Sequence, residues 1–316
     1  MLEPVLKEFG LNANEVTITP IHQGLINHTW KVGQNGHAFI LQQVNNTVFQ
    51  NPEDIAFNIE EISRHLKYQH PEYFFFSPVK TFDRNELVYK NENGYFRAFP
   101  FVQDSHAINV VETPEQAYEG AKQFGKFTAM LSSFDCTKLK ITIPHFHNLS
   151  LRYEQFEEAL RKGNNNRLKE SATLISQLKA WSNIVTEYEK IKTHVDFKLR
   201  VTHHDSKINN VLFDKNNKGL CVIDLDTVMP GYFISDVGDM MRTYLSPVSE
   251  EEKDFSKIVI RKEYYKAIVD GYMSEMKDEL TEVEKKHFFY AGKFSIYMQA
   301  LRFLTDYLND DKYYGS

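Results

Sequence analysis

Cysteine is scarce in this chain: Cys136 and Cys221 are the only two in 316 residues, and they form no CxxC pair. A disulfide framework is therefore excluded, and a reducing compartment is expected. No stretch approaches the roughly 20 consecutive apolar residues that a membrane span needs. The first residues, from Met1 to Lys7, lack the basic and then apolar pattern of a secretory signal. The expectation is a cytoplasmic protein with no membrane partner. An excess of basic residues is also missing: 37 Lys and Arg stand against 43 Asp and Glu, for a net charge of −6 and a pI near 6.1. That argues against a nucleic-acid partner, whose phosphates are held by a basic surface that releases counterions. Internal repeats and long linkers are lacking too. What is present is ordinary globular composition, 42% hydrophobic and 25% charged, with 24 Phe and 17 Tyr to fill a core. The length suits two domains of ordinary size or one large one.

The pattern along the chain predicts two regions. Residues 16–19, 29–32 and 37–44 read as strands, and Asn35-Gly36 between the last two is a hairpin signal because both residues tolerate positive φ. Residues 52–66 read as a helix: Asn51 is placed to cap it, Pro52 suits its first turn, and Ile55, Ile59, Ile62 and Leu66 recur at helical spacing. Further strands are expected at 78–82, 86–89 and 95–102. A domain boundary is expected near 104, giving a β-rich region 1–104 and a helical region 105–316. Thr113-Pro-Glu-Gln116 is a capping box, followed by Ala117, Ala121, Phe124, Phe127 and Leu131 on one helix face. Long helices are also predicted over 151–161, 167–193, 253–276 and 281–307. The fold class implied is α+β, with a small sheet lobe bearing one helix, a larger helical lobe and a cleft between them for ligands.

The stretch from Val201 to Asp226 carries the chemistry. Two strands, 210–214 and 220–224, flank the turn at 215–219. With that turn centred near Asn217, Asn210 opposes Asp224, and opposed residues of an antiparallel pair share a face. An amide and a carboxylate at the open end of one hairpin suit a hard cation such as Mg²⁺, which takes oxygen ligands and substrate phosphates. Asp205, on the loop leading in, is placed to orient a hydroxyl and accept its proton. Positioning and charge neutralisation of this kind are what phosphoryl transfer requires.

His203-His-Asp205, four residues, then Asn210 resembles the HxD-x4-N catalytic loop of protein-kinase-like enzymes, and Ile223-Asp224 resembles the start of their DFG segment. The chain looks like a member of the aminoglycoside phosphotransferase and choline kinase superfamily, a two-lobed kinase fold acting on small molecules. It is most similar to N-acetylhexosamine 1-kinases in Gln23-Gly24-Leu-Ile-Asn27-His28-Thr29-Trp30, Ile40-Leu-Gln-Gln-Val-Asn45, Asp205-Ser-Lys207 and the segment from Ile223 to Gly231. The resemblance implies Asp205 as catalytic base, and Asn210 and Asp224 as Mg²⁺ ligands, with Asp226 as an additional metal or supporting carboxylate. It implies ATP held at Gly24, Asn27, Thr29, Gln42, Phe101 and Val102. An amino sugar would lie among Lys207, Pro230, Gly231, Arg302 and Tyr313. The sequence departs from kinases at two points: it has no GxGxxG, and Gln42 stands where a strand lysine usually pairs with a helix Glu such as Glu60 or Glu61.

Blander roles compete at several of these positions. His203 reads best as a histidine that orients its loop by hydrogen bonding. Ser235-Asp236-Val-Gly-Asp239 reads as a structural acid that caps a helix and braces the catalytic loop, and His145 and His147 read as packing residues. Tyr73 to Phe76 is core or strand. Other functions are a choline, ethanolamine or aminoglycoside kinase, an inactive nucleotide-binding module motivated by the missing lysine, and a metal-dependent phosphohydrolase built on His203, His204 and Asp205.

Overall fold

The structure is a computed structural model that describes residues 2–21, 26–248 and 252–314. A short helix α1 (Glu3–Glu8) precedes β1 (Thr17–Ile21), β2 (His28–Gln34) and β3 (His37–Val44). Helix α2 (Pro52–Gln69) follows, then β4 (Tyr89–Asn91) and β5 (Gly94–Pro100). The five strands form one antiparallel sheet in the order β1-β2-β3-β5-β4. The β2–β3 hairpin turns on Asn35 and Gly36, with φ of 50° and 80°, the left-handed pair that matches strand twist.

Alternation along β3 and β5 gives the sheet two faces. Leu41, Phe96 and Ala98 pack with Val5, Leu6 and Leu11 of the α1 region. The other face carries Gln42, Val44, Tyr95 and Arg97, and there Val44 and Tyr95 pack with Ile55, Ile59, Ile62 and Leu66 of α2. Asn51 precedes α2 without a side-chain cap; Pro52 at the first position starts the helix. Of the strands expected at 78–82 and 86–89, only a Val79–Ala98 bridge and the start of β4 form. Pro78 and a turn at Asn85, φ 57°, leave that segment irregular.

After Pro100 the chain leaves the sheet, and β6 (Ser105–Ala107) pairs with a strand of the helical region. Helix α3 (Pro114–Met130) begins with the Thr113–Gln116 capping box and buries Ala117, Ala121, Phe124 and Phe127. Next come α4 (Leu149–Lys162), α5 (Asn165–Glu170), α6 (Ala172–Ala180) and α7 (Asn183–Thr193). The helix expected over 167–193 is thus three pieces. Breaks at Ser171 and around Trp181-Ser182 let α7 alone turn Ile184, Tyr188 and Ile191 into the core. Strands β7 (Arg200–Thr202), β8 (Val211–Asp214), β9 (Gly219–Val222) and β10 (Met229–Gly231) carry the central loops.

Helices α8 (Phe233–Tyr244), α9 (Lys262–Met276), α10 (Glu282–Lys285) and α11 (Phe288–Leu308) complete the fold. The helix expected from 253 begins only at Lys262, and the one expected over 281–307 breaks at His287. At that break Glu284 is drawn inward to the Arg200 guanidinium and the Lys198 amide. Helix α3 lies close along α9: a Cβ on Gly271 would sit 2.3 Å from the Tyr118 carbonyl oxygen. One buried side chain ties α2 to the larger lobe. Asn58 donates to the Lys140 and Val228 carbonyls, 2.9 and 3.0 Å, and accepts from the Lys140 amide. Among the described residues no helix is long and apolar enough to cross a membrane.

Candidate active site

The loop after β7 is fixed from below. The Asp236 carboxylate accepts from the His203 and His204 amides, 3.0 and 2.7 Å, and from the Ser206 hydroxyl at 3.0 Å. Asp236 therefore braces the loop, although α8 begins at Phe233 and Tyr232, not Asp236, occupies its cap position. His203 is fully buried and donates from Nε2 to the Ile223 carbonyl at 2.9 Å, with Phe124 edge-on to its ring. It is a loop-orienting histidine. His204 has φ +66° and donates from Nδ1 to Thr202 O; burial lowers its pKa and keeps it neutral. His147 stacks on Phe146 and meets His204 edge-on, and burial holds it well below the usual imidazole range, while the His145 carbonyl accepts from Arg152.

Asp205 emerges from this frame half-buried. Asn210 Nδ2 donates to its Oδ2 at 2.9 Å and to its backbone carbonyl at 2.8 Å, and Lys207 Nζ lies 3.6 Å from its Oδ1. Both N–H groups of the Asn210 amide are thus used. Its oxygen is left as the acceptor for another group.

The β8–β9 hairpin differs by one residue from the expected register. Val211 opposes Val222, Leu212 opposes Cys221, and an irregularity between Leu212 and Phe213 shifts the pairing toward the turn. Asn210 consequently meets Ile223, whose amide donates to its carbonyl at 2.9 Å, and not Asp224. Asp224 comes to the site by another route. Its φ of 59° and ψ of 63° turn the chain sharply out of β9, a left-handed conformation uncommon for a residue other than glycine. Asp224 is open to solvent on one side and enclosed by protein on the others. That enclosure, then the charges of Asp226 and Asp205, push its carboxyl up to about 7, against the opposing pull of Arg97 and Lys207.

Asp226 is nearly sealed, and its carboxylate is committed. The Arg97 guanidinium forks onto both oxygens, with Nη2 to Oδ2 at 2.9 Å, and Asn27 Nδ2 donates to Oδ2 at 3.0 Å. Asp226 is a supporting carboxylate in this arrangement. Arg97 also donates from Nε to Gln42 Oε1 at 3.0 Å, and Gln42 Nε2 donates to Thr29 Oγ1 at 3.3 Å. Sequence reasoning passed over Arg97. The available signal was its place in an otherwise apolar strand, on the face shared with Gln42, directly opposite it in the β3–β5 register. Asn27, Thr29 and Gln42 are therefore gathered in one network. Gly24 lies outside the described residues. Phe101 and Val102 follow β5: Phe101 donates its amide to Ala38 O, and Lys31 stands over its ring. The Val102 carbonyl accepts from Ser105 Oγ.

The five residues expected around an acceptor are divided. Lys207 lines a cavity of about 500 Å³ with Arg242, Met241, Ile260, Gln299 and Phe303. Pro230 and Gly231 line a smaller one of about 190 Å³, with His147 and His204. A Cβ on Gly231 would lie 2.5 Å from His204 Nε2, so this glycine is required by packing. Arg302 hydrogen-bonds Gln299 and stands 6.0 and 5.6 Å from the Tyr313 and Tyr314 ring centres. The exposed Tyr313 is anchored by its amide, which donates to Asp306 Oδ1 at 2.7 Å.

A divalent cation fits the remaining donors. Among the described residues no three His, Cys, Asp or Glu side chains gather closely enough to form a metal cage. The Asn210 amide oxygen and the Asp224 carboxylate, with Asp205 nearby, instead make an incomplete oxygen set. A cation that fills its shell with phosphate oxygens and water suits such a set.

Solved structures similar to this chain include kinases of small molecules. A microcompartment-associated aminopropanol kinase matches at TM-score 0.62 and 14% identity over 97% of this chain and 93% of its own. A Cryptosporidium parvum choline kinase matches at 0.58 and 13% over 98% and 94%, and a Plasmodium vivax ethanolamine kinase at 0.59 and 13% over 95% and 79%. These likenesses establish a two-lobed, kinase-like α+β fold. The family model for the phosphotransferase enzyme family matches residues 17–256, three-quarters of the chain. With the Asp205 loop, the Asp224 turn and the fold in agreement, the chain belongs to that family and is an enzyme that transfers phosphoryl groups to a hydroxyl of a small molecule.

Proposed function

We propose that this enzyme transfers the γ-phosphoryl group of ATP to the anomeric hydroxyl of an N-acetylhexosamine, GlcNAc or GalNAc, giving the sugar 1-phosphate and ADP. Asp205 carries the reading: its carboxylate is held by Asn210 and lies 3.6 Å from Lys207, a residue that lines the 500 Å³ cavity. The acceptor hydroxyl gives its proton to Asp205 as its oxygen bonds to the γ-phosphorus and the bond to the β-phosphate oxygen breaks. Lys207 keeps the Asp205 carboxylate oriented and donates to the acceptor or to the arriving phosphoryl oxygens. Asn210 and Asp224 would hold Mg²⁺, which neutralises charge on the phosphates.

The charge of the cavity favours a neutral acceptor over an amino alcohol. Among the described residues its lining carries Lys207 and Arg242, paired with Asp205 and Asp239 behind them, no carboxylate of its own, and Phe303 as its one aromatic. A cationic substrate needs acidic groups or an aromatic cage. The segments that resemble sugar 1-kinases, from Asp205 to Lys207 and from Ile223 to Gly231, point to the same acceptor.

ADP release measured against a panel of amino sugars, amino alcohols and aminoglycosides tests this. Turnover on GlcNAc or GalNAc is expected, with a fall of about 1,000-fold or more in Asp205→Asn. Turnover on choline or ethanolamine alone would replace the sugar reading with an amino-alcohol kinase. Phosphate release without an acceptor, retained in Asp205→Asn, would remove Asp205 from its role.

A further inference from the structure

We propose that Arg97 on β5 is the small-lobe cation that holds the nucleotide's phosphate chain, in place of the lysine that β3 lacks, with Asp226 as its fixed partner. The inference rests on the phosphotransferase reading above and concerns how that site grips its donor.

A kinase small lobe ordinarily supplies a lysine from β3, steadied by a glutamate on the neighbouring helix. Neither half of that pair is present. β3 offers Gln42, and the α2 glutamates face outward to surface partners, Glu60 to Lys80 at 2.8 Å and Glu61 to Arg64. The helix is joined to the catalytic lobe through the neutral Asn58 instead. A charge is nevertheless present one strand over. Arg97 pairs with Gln42 in the β3–β5 register, on the same sheet face and displaced by one strand spacing of about 4.8 Å.

Gln42 keeps a use in this scheme. Its Oε1 accepts from Arg97 Nε and its Nε2 donates to Thr29, so the amide orients the guanidinium and ties it to the start of β2. Asp226 fixes the other end through both terminal nitrogens. A guanidinium carries five N–H donors. Three are spent on Gln42 and Asp226, and the other two, one on each terminal nitrogen, have no acceptor among the described residues. The side chain is only 4% exposed, so this cation is poorly hydrated and rigidly aimed. Donors unmet among the described residues, on a planar, dehydrated cation, suit phosphate oxygens better than a mobile ammonium would. Arg97 also spans the lobes, since its partner lies two residues beyond Asp224. Phosphate and metal are thereby held from one rigid unit.

The experiment compares ADP and adenosine binding by calorimetry in EDTA, where no metal contributes. Because Arg97→Met alone would strand Asp226, the variant used is Arg97→Met with Asp226→Asn, which removes both charges. The expected result is a loss of about 10- to 100-fold in ADP affinity with adenosine affinity unchanged. Adding Gln42→Lys to that variant should then restore most of the preference for ADP. ADP affinity equal to wild type would overturn the proposal, as would an equal fall for ADP and adenosine, which marks a structural ion pair. A wild-type protein that binds neither nucleotide would sink the donor reading itself, a different result from a wild type that prefers ADP while the variant does too.

Discussion

Asp224 gives the most demanding test of the site, because its proton and its metal compete for one carboxylate. Dehydration and the neighbouring charges of Asp226 and Asp205 move its pKa from the ordinary 3.8 to about 7. Sealed from water, that difference would correspond to about 4 kcal/mol. One side of the residue is open, so solvent screening reduces it to about 1–2 kcal/mol. The sign follows from proton binding. The folded protein keeps a proton that the unfolded chain has released, so stability is greatest below the unfolded pKa and declines as pH rises through the folded value. Without metal, this residue should therefore lower Tm by roughly 2–4 °C between pH 4 and pH 8. Mg²⁺ reverses the trend by binding the ionised form, and its stabilising effect should grow over the same window. Thermal melts of wild type and Asp224→Asn across pH, in EDTA and in MgCl₂, isolate the contribution, since all other titrating groups are common to both proteins. Equal pH slopes in the two proteins, or equal stabilisation of both by Mg²⁺ at pH 8, would refute the reasoning.

Two further substitutions separate structural from substrate roles. Gly231→Ala places a methyl 2.5 Å from His204 Nε2 and 3.0 Å from Thr202 Cβ, and the His204 ring is pinned by its bond to Thr202 O. A loss of about 1–3 kcal/mol in chemical denaturation is expected, with a fall in kcat and an unchanged acceptor KM. A raised KM at unchanged stability would instead mark Gly231 as a substrate contact. Glu284→Ala strands Arg200, whose guanidinium forks onto that buried carboxylate, and should cost about 3–5 kcal/mol. Activity per folded molecule should be retained; a specific loss of kcat would mean that the pair reaches the catalytic loop through β7.

The proposed catalytic half of the site was legible as a cluster because it is local. Asp205, Asn210 and Asp224 lie within 20 residues, separated by one hairpin whose apolar strands and turn are plain in the sequence. Even there the register slipped. The turn pairs Phe213 with Gly219, two residues tighter than expected, and the irregularity after Leu212 recovers only one of them, which leaves Asp224 outside the strand. The α3 face was legible for the same local reason, whereas the 167–193 helix broke where α7 needed to reach the core, a tertiary demand that spacing does not record.

The nucleotide half was illegible for the opposite reason. Its central contact joins Arg97 to Asp226 across 129 residues. Read alone, an arginine between Phe96 and Ala98 suggests a solvated strand position, and the second acid of Asp224-Leu-Asp226 suggests a metal ligand. Together they account for both anomalies: a buried arginine needs a buried acid, and a strand without its lysine needs a cation nearby. On the role proposed for Arg97, the apparent defect at Gln42 is a relocation of charge by one strand. On that proposal the missing lysine carries no weight in favour of an inactive binding module, because the small lobe keeps a cation facing the catalytic lobe.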